Sequence, residues 1–528
     1  MPDKAASGRR RPPAGADDGD QIAVLRLLGD PATYGPGVDR VERMDTHGAV
    51  VFLAGERAYK VKRAVAYPYM DFSTLEKRRQ CCLRERDINR RTAPHLYLDV
   101  VPVTRDGERL RLGGGGEAVE WVLVMRRFPQ EDLLSARAEA GRLTTETVAA
   151  LADAIARFHA TAEQRRDVTA GAAAMEWVLR ENGEEFLARA DLFDAAAAQR
   201  LNGRGLALLS RHRSLLDQRA LAGKVRLCHG DLHLRNVVLL DGEPTLFDAI
   251  EFNDAIACID VMYDLAFLLM DLDHRDLRAF ANRVLNRYLE QCDEVAALAV
   301  LPLFLSARAA VRAKVAASAE TMVKEAAAKL PRREEAAAYF TRALGYLAPR
   351  DPCLVVVGGL SGTGKTTLAR ALAPDLGAAP GALHLRSDTL RKRLAGVEEL
   401  QRLPPESYTP EASAAVYAAL GGQAAAGLAA GQAVIVDAVF ARAEERAAIT
   451  QVAREAGVRF HGLWLEAEER VMKHRVTARQ ADASDATAEV VDRQLAYDLG
   501  PIDWTRLDAT RPIEVLQQEA RRLLGRTD

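Results

Sequence analysis

Cysteine is scarce in this 528-residue sequence: there are six, at positions 81, 82, 228, 258, 292 and 353. None forms a CxxC pair or a Cys/His set with zinc spacing, and the adjacent Cys81 and Cys82 have poor geometry for an ordinary disulfide. A reducing compartment, the cytoplasm, is therefore expected. Charge of one sign is also missing. Lys and Arg number 72 against 74 Asp and Glu, a formal net charge of −2, and no basic stretch is studded with aromatics. That balance gives no general pull toward nucleic acid or anionic membrane, and neither is expected as a partner. The opening MPDKAASGRRRPPAGADDGD lacks the apolar core of a secretory signal and reads as a disordered tail over residues 1–20. A charge-free stretch, residues 412–436, is rich in alanine and is interrupted by Gly421, Gly422, Gly427 and Gly431. It reads as a helix, a turn and a buried strand, not a membrane span. No internal repeat is present.

The length suits two to four domains at ~100–200 residues each. Residues 41–63 alternate as short strands with Gly48 and Gly55 at the turns. Residues 73–92 read as a charged amphipathic helix. Strand signals return at Tyr97–Val103 and Val119–Met125, with the run Gly113–Gly116 as the turn between them. Residues 144–222 and 259–345 read as helical, separated by a short strand at Val225–Cys228, a polar loop, and strand pieces at Val237–Leu240 and Thr245–Phe247. The first domain is thus a small β-rich lobe followed by a larger helical lobe over residues 21–345. Residues 346–352 (YLAPRDP) read as a linker. The run CLVVVGG then opens a strand–loop–helix alternation over 353–528, which implies an α/β domain with a mainly parallel sheet.

The strongest motif of the second domain is Gly359-Leu-Ser-Gly-Thr-Gly-Lys365-Thr366, a G-x-x-x-x-G-K-[ST] loop with an apolar strand before it and a helix after it. Glycines let backbone N–H groups turn inward around phosphates, and the helix N-terminus adds positive potential. Gly359, Ser361, Gly362, Thr363, Gly364, Lys365, Thr366 and Thr367 are the expected cradle. Lys365 serves as a point charge for the β/γ-phosphates and Thr366 as a hydroxyl ligand for Mg²⁺. Asp388-x-x-Arg391 follows a strand. It resembles the acceptor site of polynucleotide kinases and of P-loop kinases such as gluconate kinase, which implies Asp388 as the base and Arg391 as the substrate clamp; an N-cap Asp with a solvated Arg is the alternative. Val434-Ile-Val-Asp437 resembles a Walker B strand, which implies Asp437 as a Mg²⁺ ligand, direct or through water; a strand-end turn Asp is the alternative. Arg475 and Arg479 share a helix face in a segment, also holding Arg470, that looks like a lid closing over the transferring phosphate; a solvated basic helix face is the alternative.

In the first domain, His229-Gly-Asp231-Leu-His-Leu-Arg-Asn236 resembles the H-G-D-x-x-x-x-N loop of aminoglycoside and choline kinases. The resemblance implies that Asp231 accepts the proton of the acceptor hydroxyl, that Asn236 and Asp248 hold Mg²⁺, and that Asp264 braces the loop. Upstream, Lys60 and Lys62 alternate onto one strand face. Lys60 fits the A-x-K pattern better, with Lys62 left open. Glu85 is the expected partner and Glu76 the runner-up. No G-x-G-x-x-G stands between the first strands; only Asp45-Thr-His-Gly48 does. Trp121–Arg127 falls where a lobe hinge is expected, with adenine near Met125. Arg308 and Arg312 share a helix face near Lys314; an anionic acceptor site and a solvated face are the two readings.

Taken together, the chain resembles a bacterial bifunctional architecture: an aminoglycoside-phosphotransferase-like domain with a protein-kinase-like two-lobed fold, joined to a P-loop kinase domain. The resemblance implies two kinase-type sites using Mg²⁺ and ATP or GTP on hydroxyls of small molecules, sugars or sugar-like metabolites among them. A nucleic-acid end kinase, and a regulatory nucleotide-binding protein with one inactive site, stand beside this reading. The motifs are specific for phosphoryl chemistry, not for the acceptor.

Overall fold

A computed structural model describes residues 17–67, 70–322, 325–349, 351–478 and 483–525. Two compact units emerge. One comprises the described residues up to Thr147 with Arg157–Arg166 and Gly223–Asp264. The other comprises Val148–Ala156, Asp167–Ala222 and the described residues from Leu265 onward. The second unit therefore holds most of the helical part of the kinase-like half together with the P-loop half.

The first unit is built on strands β1 (Val41–Asp45), β2 (Ala49–Ala54) and β3 (Arg57–Lys62), the short pair β4 (Ala66–Tyr67) and β5 (Met70–Asp71), and then β6 (Tyr97–Asp106), β7 (Arg109–Leu112) and β8 (Glu117–Arg126). Six of these form an antiparallel sheet in the order β1-β2-β3-β8-β6-β7. Alternation sorts its side chains. Phe52, Tyr59, Val61, Val122 and Val124 pack with Val24 and Leu28 of helix Asp17–Gly29 on one face. Leu53, Ala58, Leu123 and Met125 pack with Cys82 of helix Leu75–Asn89 on the other. Lys60 and Lys62 share the parity of Ala58, so β3 points both toward that second helix. The first helix begins inside the expected tail, at Asp17.

One detail differs from the sequence expectation. The Gly113–Gly116 run does not join two strands directly, because the polar, half-exposed Arg109–Leu112 forms an extra strand paired with β6. Trp121–Arg126 lies in the central strand β8, flanked by β3 and β6, in keeping with the strand signals at Val119–Met125.

Beyond this sheet, β9 (Val225–Leu227) pairs with β12 (Cys258–Asp260), and β10 (Val237–Leu240) forms a hairpin with β11 (Glu243–Leu246). The polar loop 228–236 lies between β9 and β10.

In the second unit, β13 (Cys353–Gly358), β14 (Leu383–Arg386), β15 (Val434–Asp437), β16 (Arg459–Glu466) and β17 (Thr505–Asp508) form an entirely parallel sheet, ordered β14-β15-β13-β16-β17. Every residue of the central β13 is buried, as an apolar strand covered on both faces requires. The expected α/β domain is thereby borne out. The charge-free stretch resolves into helix Pro410–Ala429 and strand β15, and no described helix is long and apolar enough to cross a membrane.

Candidate active sites

On β3, Lys60 Nζ lies 2.7 Å from Glu85 Oε1 and 2.6 Å from Asp248 Oδ1. Lys62 contacts the other oxygen of Glu85 and also Glu251, with the Phe72 ring 5.2 Å from its ammonium. Cys81 Sγ donates to Glu251 at 3.2 Å. Both lysines left open by the sequence thus meet Glu85. They differ in outlook: Lys62 is turned into the buried Glu251 cluster, whereas Lys60 reaches Asp248, whose side chain is 42% exposed. The runner-up Glu76 is exposed and bonds Arg79 and Gln80 on its own helix. Burial disfavours the Lys60 ammonium, but Asp248 and Glu85 outweigh it and raise its pKa. Burial likewise pushes the Glu85 carboxyl up, and the two lysine charges overcome this and hold it down to about 2.

The polar loop is tied from several sides. Asp264 Oδ1 accepts from Gly230 N at 2.9 Å and Oδ2 from His229 N at 3.1 Å, with His159 Nε2 also 3.1 Å from Oδ2. His159, Cys228 and Asp264 crowd together, but both oxygens of Asp264 are engaged by loop N–H groups, which makes it a brace for the loop. His229 Nε2 donates to Phe247 O at 2.8 Å. Asn236 Nδ2 donates to Asp231 Oδ2 at 2.8 Å and to Asp231 O at 2.9 Å, leaving Oδ1 as its atom for a cation.

Asp248 follows β11 in a left-handed backbone conformation, φ 61°. A non-glycine residue is held there only when its surroundings enforce it. Here Tyr97 Oη accepts from Asp248 N at 2.9 Å and Asn89 Oδ1 from Ala249 N at 2.8 Å. Neither Asn89 nor Tyr97 was singled out in the sequence, and no short motif marks them. Asn236 and Asp248 together offer the hard oxygen donors that Mg²⁺ takes.

The second site begins where β13 ends. Gly364, at φ 90°, precedes helix Lys365–Leu372. Two cradle glycines are sterically required. A Cβ on Gly362 (φ 84°) would stand 2.5 Å from Met472 O, and one on Gly359 (φ 140°) 2.6 Å from Leu465 O. Gly362→Ala is therefore expected to cost ~1–3 kcal/mol of stability and to weaken nucleotide binding by this loop. Thermal unfolding with and without ADP reads both, and an unchanged melt and affinity would refute the steric argument.

Lys365 Nζ donates to Leu360 O at 3.0 Å and Thr363 Oγ1 to the same oxygen at 2.8 Å. Ser361 N donates to Gln494 Oε1 at 2.7 Å, a contact no motif announces. Arg475 reaches the loop, donating to Thr363 O at 3.4 Å and to Ala509 O at 2.8 Å. Arg470 is exposed, and Arg479 lies outside the described residues. Thr367 is exposed on the first turn of the helix.

Parallel pairing sets Asp437 beside Val357 at the end of β15. Its Oδ1 accepts from Thr366 Oγ1 at 3.1 Å and its Oδ2 from His384 Nε2 at 2.6 Å. Burial pushes this carboxyl up, and His384, Arg386 and Lys365 bring it down to about 2, so it is ionised. A carboxylate beside a threonine hydroxyl fits Mg²⁺.

Asp388 and Arg391 lie one turn apart on helix Ser387–Leu394. Arg391 donates to Ser407 O at 2.7 Å and stacks 4.9 Å from the Tyr408 ring centroid. It holds the 405–413 segment, so it is not a solvated arginine. The Arg308 face is different from both sequence readings. Arg308 is buried over the Phe267 ring, Arg312 pairs with Glu335, and Lys314 pairs with Glu181. These cations are drawn inward by partners that a helical wheel does not show, and no open basic face results.

Residues 57–301 match the family described as Phosphotransferase enzyme family, and residues 354–498 match the one described as AAA domain. Uncharacterized proteins of Mycobacterium tuberculosis and Mycobacterium bovis are each 32% identical over 497 residues, covering 92% of this chain and 95% of theirs. Among solved structures, a choline/ethanolamine kinase family protein from Mesorhizobium loti is 15% identical and covers 62% of this chain and 98% of its own, with a TM-score of 0.38. A gluconokinase from Sinorhizobium meliloti is 22% identical and covers 34% and 94%, with a TM-score of 0.25.

Proposed function

We propose, for a chain that belongs to the family joining an aminoglycoside-phosphotransferase-like domain to a P-loop kinase-like domain, that it runs two kinase-type sites, each moving the γ-phosphate of ATP or GTP to a hydroxyl of a small molecule. Sugars or sugar-like metabolites are the acceptor class we favour. The observation that carries this reading is the meeting of Lys60, Glu85 and Asp248 in one unit with the Asp231–Asn236 loop. A phosphate-holding lysine, a carboxylate that fixes it, a metal-type carboxylate and a base are the parts such a transfer needs.

In the first site Lys60, held by Glu85, contacts the α/β-phosphates. Asp231 takes the proton from the attacking hydroxyl, its carboxylate aimed by Asn236. Asn236 Oδ1 and Asp248 would hold Mg²⁺, which when bound neutralises charge on the phosphate oxygens. In the second site the backbone of 359–364 surrounds the phosphates, Lys365 turns from Leu360 O to the β/γ-phosphates, and Arg475 stands beside them. Thr366 and Asp437 would hold the cation there, Asp388 takes the acceptor proton, and Arg391 orients the acceptor from the 405–413 side. The net reaction at each site is the same: the acceptor O–P bond forms, the bond from the γ-phosphorus to its bridging oxygen breaks, and the hydroxyl proton passes to an aspartate.

The test is transfer of γ-labelled phosphate, from ATP and separately GTP, into a pooled extract of small metabolites. Wild type is expected to label discrete products, and the double substitution Asp231→Asn/Lys365→Ala is expected to label none. Nucleotide binding by the wild type without any labelled small molecule would defeat the proposal. It would turn attention to nucleic-acid or protein acceptors, or to a sensor role.

A further inference from the structure

β14 is an edge strand of the parallel sheet, and an edge exposes main-chain groups that must find partners. Leu383 N, on the inner side, donates to Ala433 O. On the outer side the partner is not a strand but helix Arg278–Gln291 of the kinase-like half. Asn286 Oδ1 accepts from His384 N at 2.7 Å, and Asn286 Nδ2 donates to Ala382 O at 3.1 Å. One side-chain amide thus makes the pair of bonds that a neighbouring strand residue would make. Asn282 Nδ2 adds a bond to Ala382 O at 3.0 Å. The same helix is fixed by Arg287, which is bidentate to Asp153 at 2.7 and 3.0 Å and also pairs with Glu399 of the P-loop half.

The residue whose backbone Asn286 holds is the one whose ring holds Asp437. His384 is buried, and its Nε2 donates to Asp437 Oδ2 at 2.6 Å. Thr366 takes the other oxygen. The carboxylate therefore has its rotation fixed at both ends, once from the phosphate loop and once from the edge strand. Groups that hydrogen-bond a metal-binding side chain set its orientation and tune cation affinity.

We infer that His384 and Asn286 are positioning residues for the P-loop cation site, so that a helix of the kinase-like half completes the metal geometry of the other half. The inference rests on the proposed role of Asp437 as a cation ligand. His384 itself touches neither cation nor nucleotide. It acts by holding Asp437, and Asn286 acts by holding the backbone of His384.

The test uses the full chain with Asp248→Asn, so that the first site contributes no cation, and Mn²⁺ as the probe. Free Mn²⁺ is followed by electron paramagnetic resonance on ADP-saturated protein. ADP affinity in EDTA is measured beside it. His384→Leu and His384→Phe, which lack the donor, are expected to weaken Mn²⁺ binding by ~10–100-fold, with ADP affinity in EDTA within about twofold of the parent. His384→Gln retains a donor and should restore most of the Mn²⁺ affinity; a merely structural histidine would not be rescued this way while the EDTA value stays fixed. Asn286→Ala is expected to shift Mn²⁺ affinity in the same direction by a smaller factor. Mn²⁺ binding within twofold of the parent in the Leu and Phe variants, while Asp437→Asn weakens it, would overturn the inference and leave the reading of Asp437 intact. An Asp437→Asn protein that binds Mn²⁺ as tightly as its parent would remove that reading and this inference together. Phe keeps the ring and Leu does not, so misfolding of one leaves the other to decide.

Discussion

Asp231→Asn is expected to lower transfer at the kinase-like site by ~10²–10⁴-fold, the usual contribution of a positioned general base, while nucleotide affinity stays within about twofold. The substitution is nearly isosteric. The donor at Asn236 Nδ2 still finds an oxygen, so the loop keeps its bonds to Asp264, and what is lost is the acceptor for the hydroxyl proton. Lys365→Ala should instead remove a different labelled product, by ~10²–10³-fold, since a cation is withdrawn from the charge developing on the phosphates. The informative experiment runs both single substitutions on the fractionated labelling products. Two independent sites require that each variant silence its own product and spare the other's. If Asp231→Asn leaves every product at wild-type levels, the proposed base is wrong. If either substitution erases all labelling, the sites operate as one sequence of reactions on a single metabolite.

The second large effect concerns stability. Glu85 is fully buried between Lys60 and Lys62, and removing one partner from a buried ion pair typically costs 3–5 kcal/mol because charge is left uncompensated. Lys60 retains Asp248 and Lys62 retains Glu251, so Glu85→Ala is expected at the lower end, about 3 kcal/mol. Urea unfolding at pH 7 reads it. The effect must also depend on pH with a defined sign. The folded carboxyl titrates near 2 against an ordinary value of 4.5, so its contribution is complete above about 4.5 and is lost as pH falls toward 2. The gap between wild type and variant should therefore shrink as unfolding is repeated below pH 4.5. Glu251 is displaced upward, with burial as the main cause, and it bends the wild-type curve the other way. The difference between the two proteins reads Glu85 together with the part of the Glu251 displacement that Glu85 causes. A difference under 1 kcal/mol, or one that stays flat as the pH drops below 4.5, would refute the argument.

How far the residues alone reached depends on the range of the interaction. The G-x-x-x-x-G-K-T loop and the H-G-D loop were legible because their signal is local: a few consecutive residues fix a backbone path. The parallel sheet was legible because CLVVVG and VIVD are unbroken apolar runs. The pairing of Lys60 with Glu85 needed only one strand parity and one helix. Choosing between Lys60 and Lys62 needed more, since both lysines meet the same carboxylate and only Asp248 and Glu251, nearly two hundred residues away, distinguish them. β7 was missed because its four polar and apolar residues look like the rest of a turn. Asn286, His384 and Gln494 carry no pattern at all, because each acts through one long-range bond.

Helix Leu75–Asn89 gathers two of these long-range duties a single turn apart. Glu85 anchors the strand lysine, and Asn89 pins the left-handed turn that presents Asp248. The two grips share one helix, so a displacement of that helix as a body bears on both. A slip or rotation of this helix would strain the Lys60–Glu85 pair and the Asn89–Ala249 bond in the same movement. The lysine on β3 and the turn that carries Asp248 are thereby linked through one element of the fold, with the Lys60–Asp248 pair and Tyr97 as further ties between them.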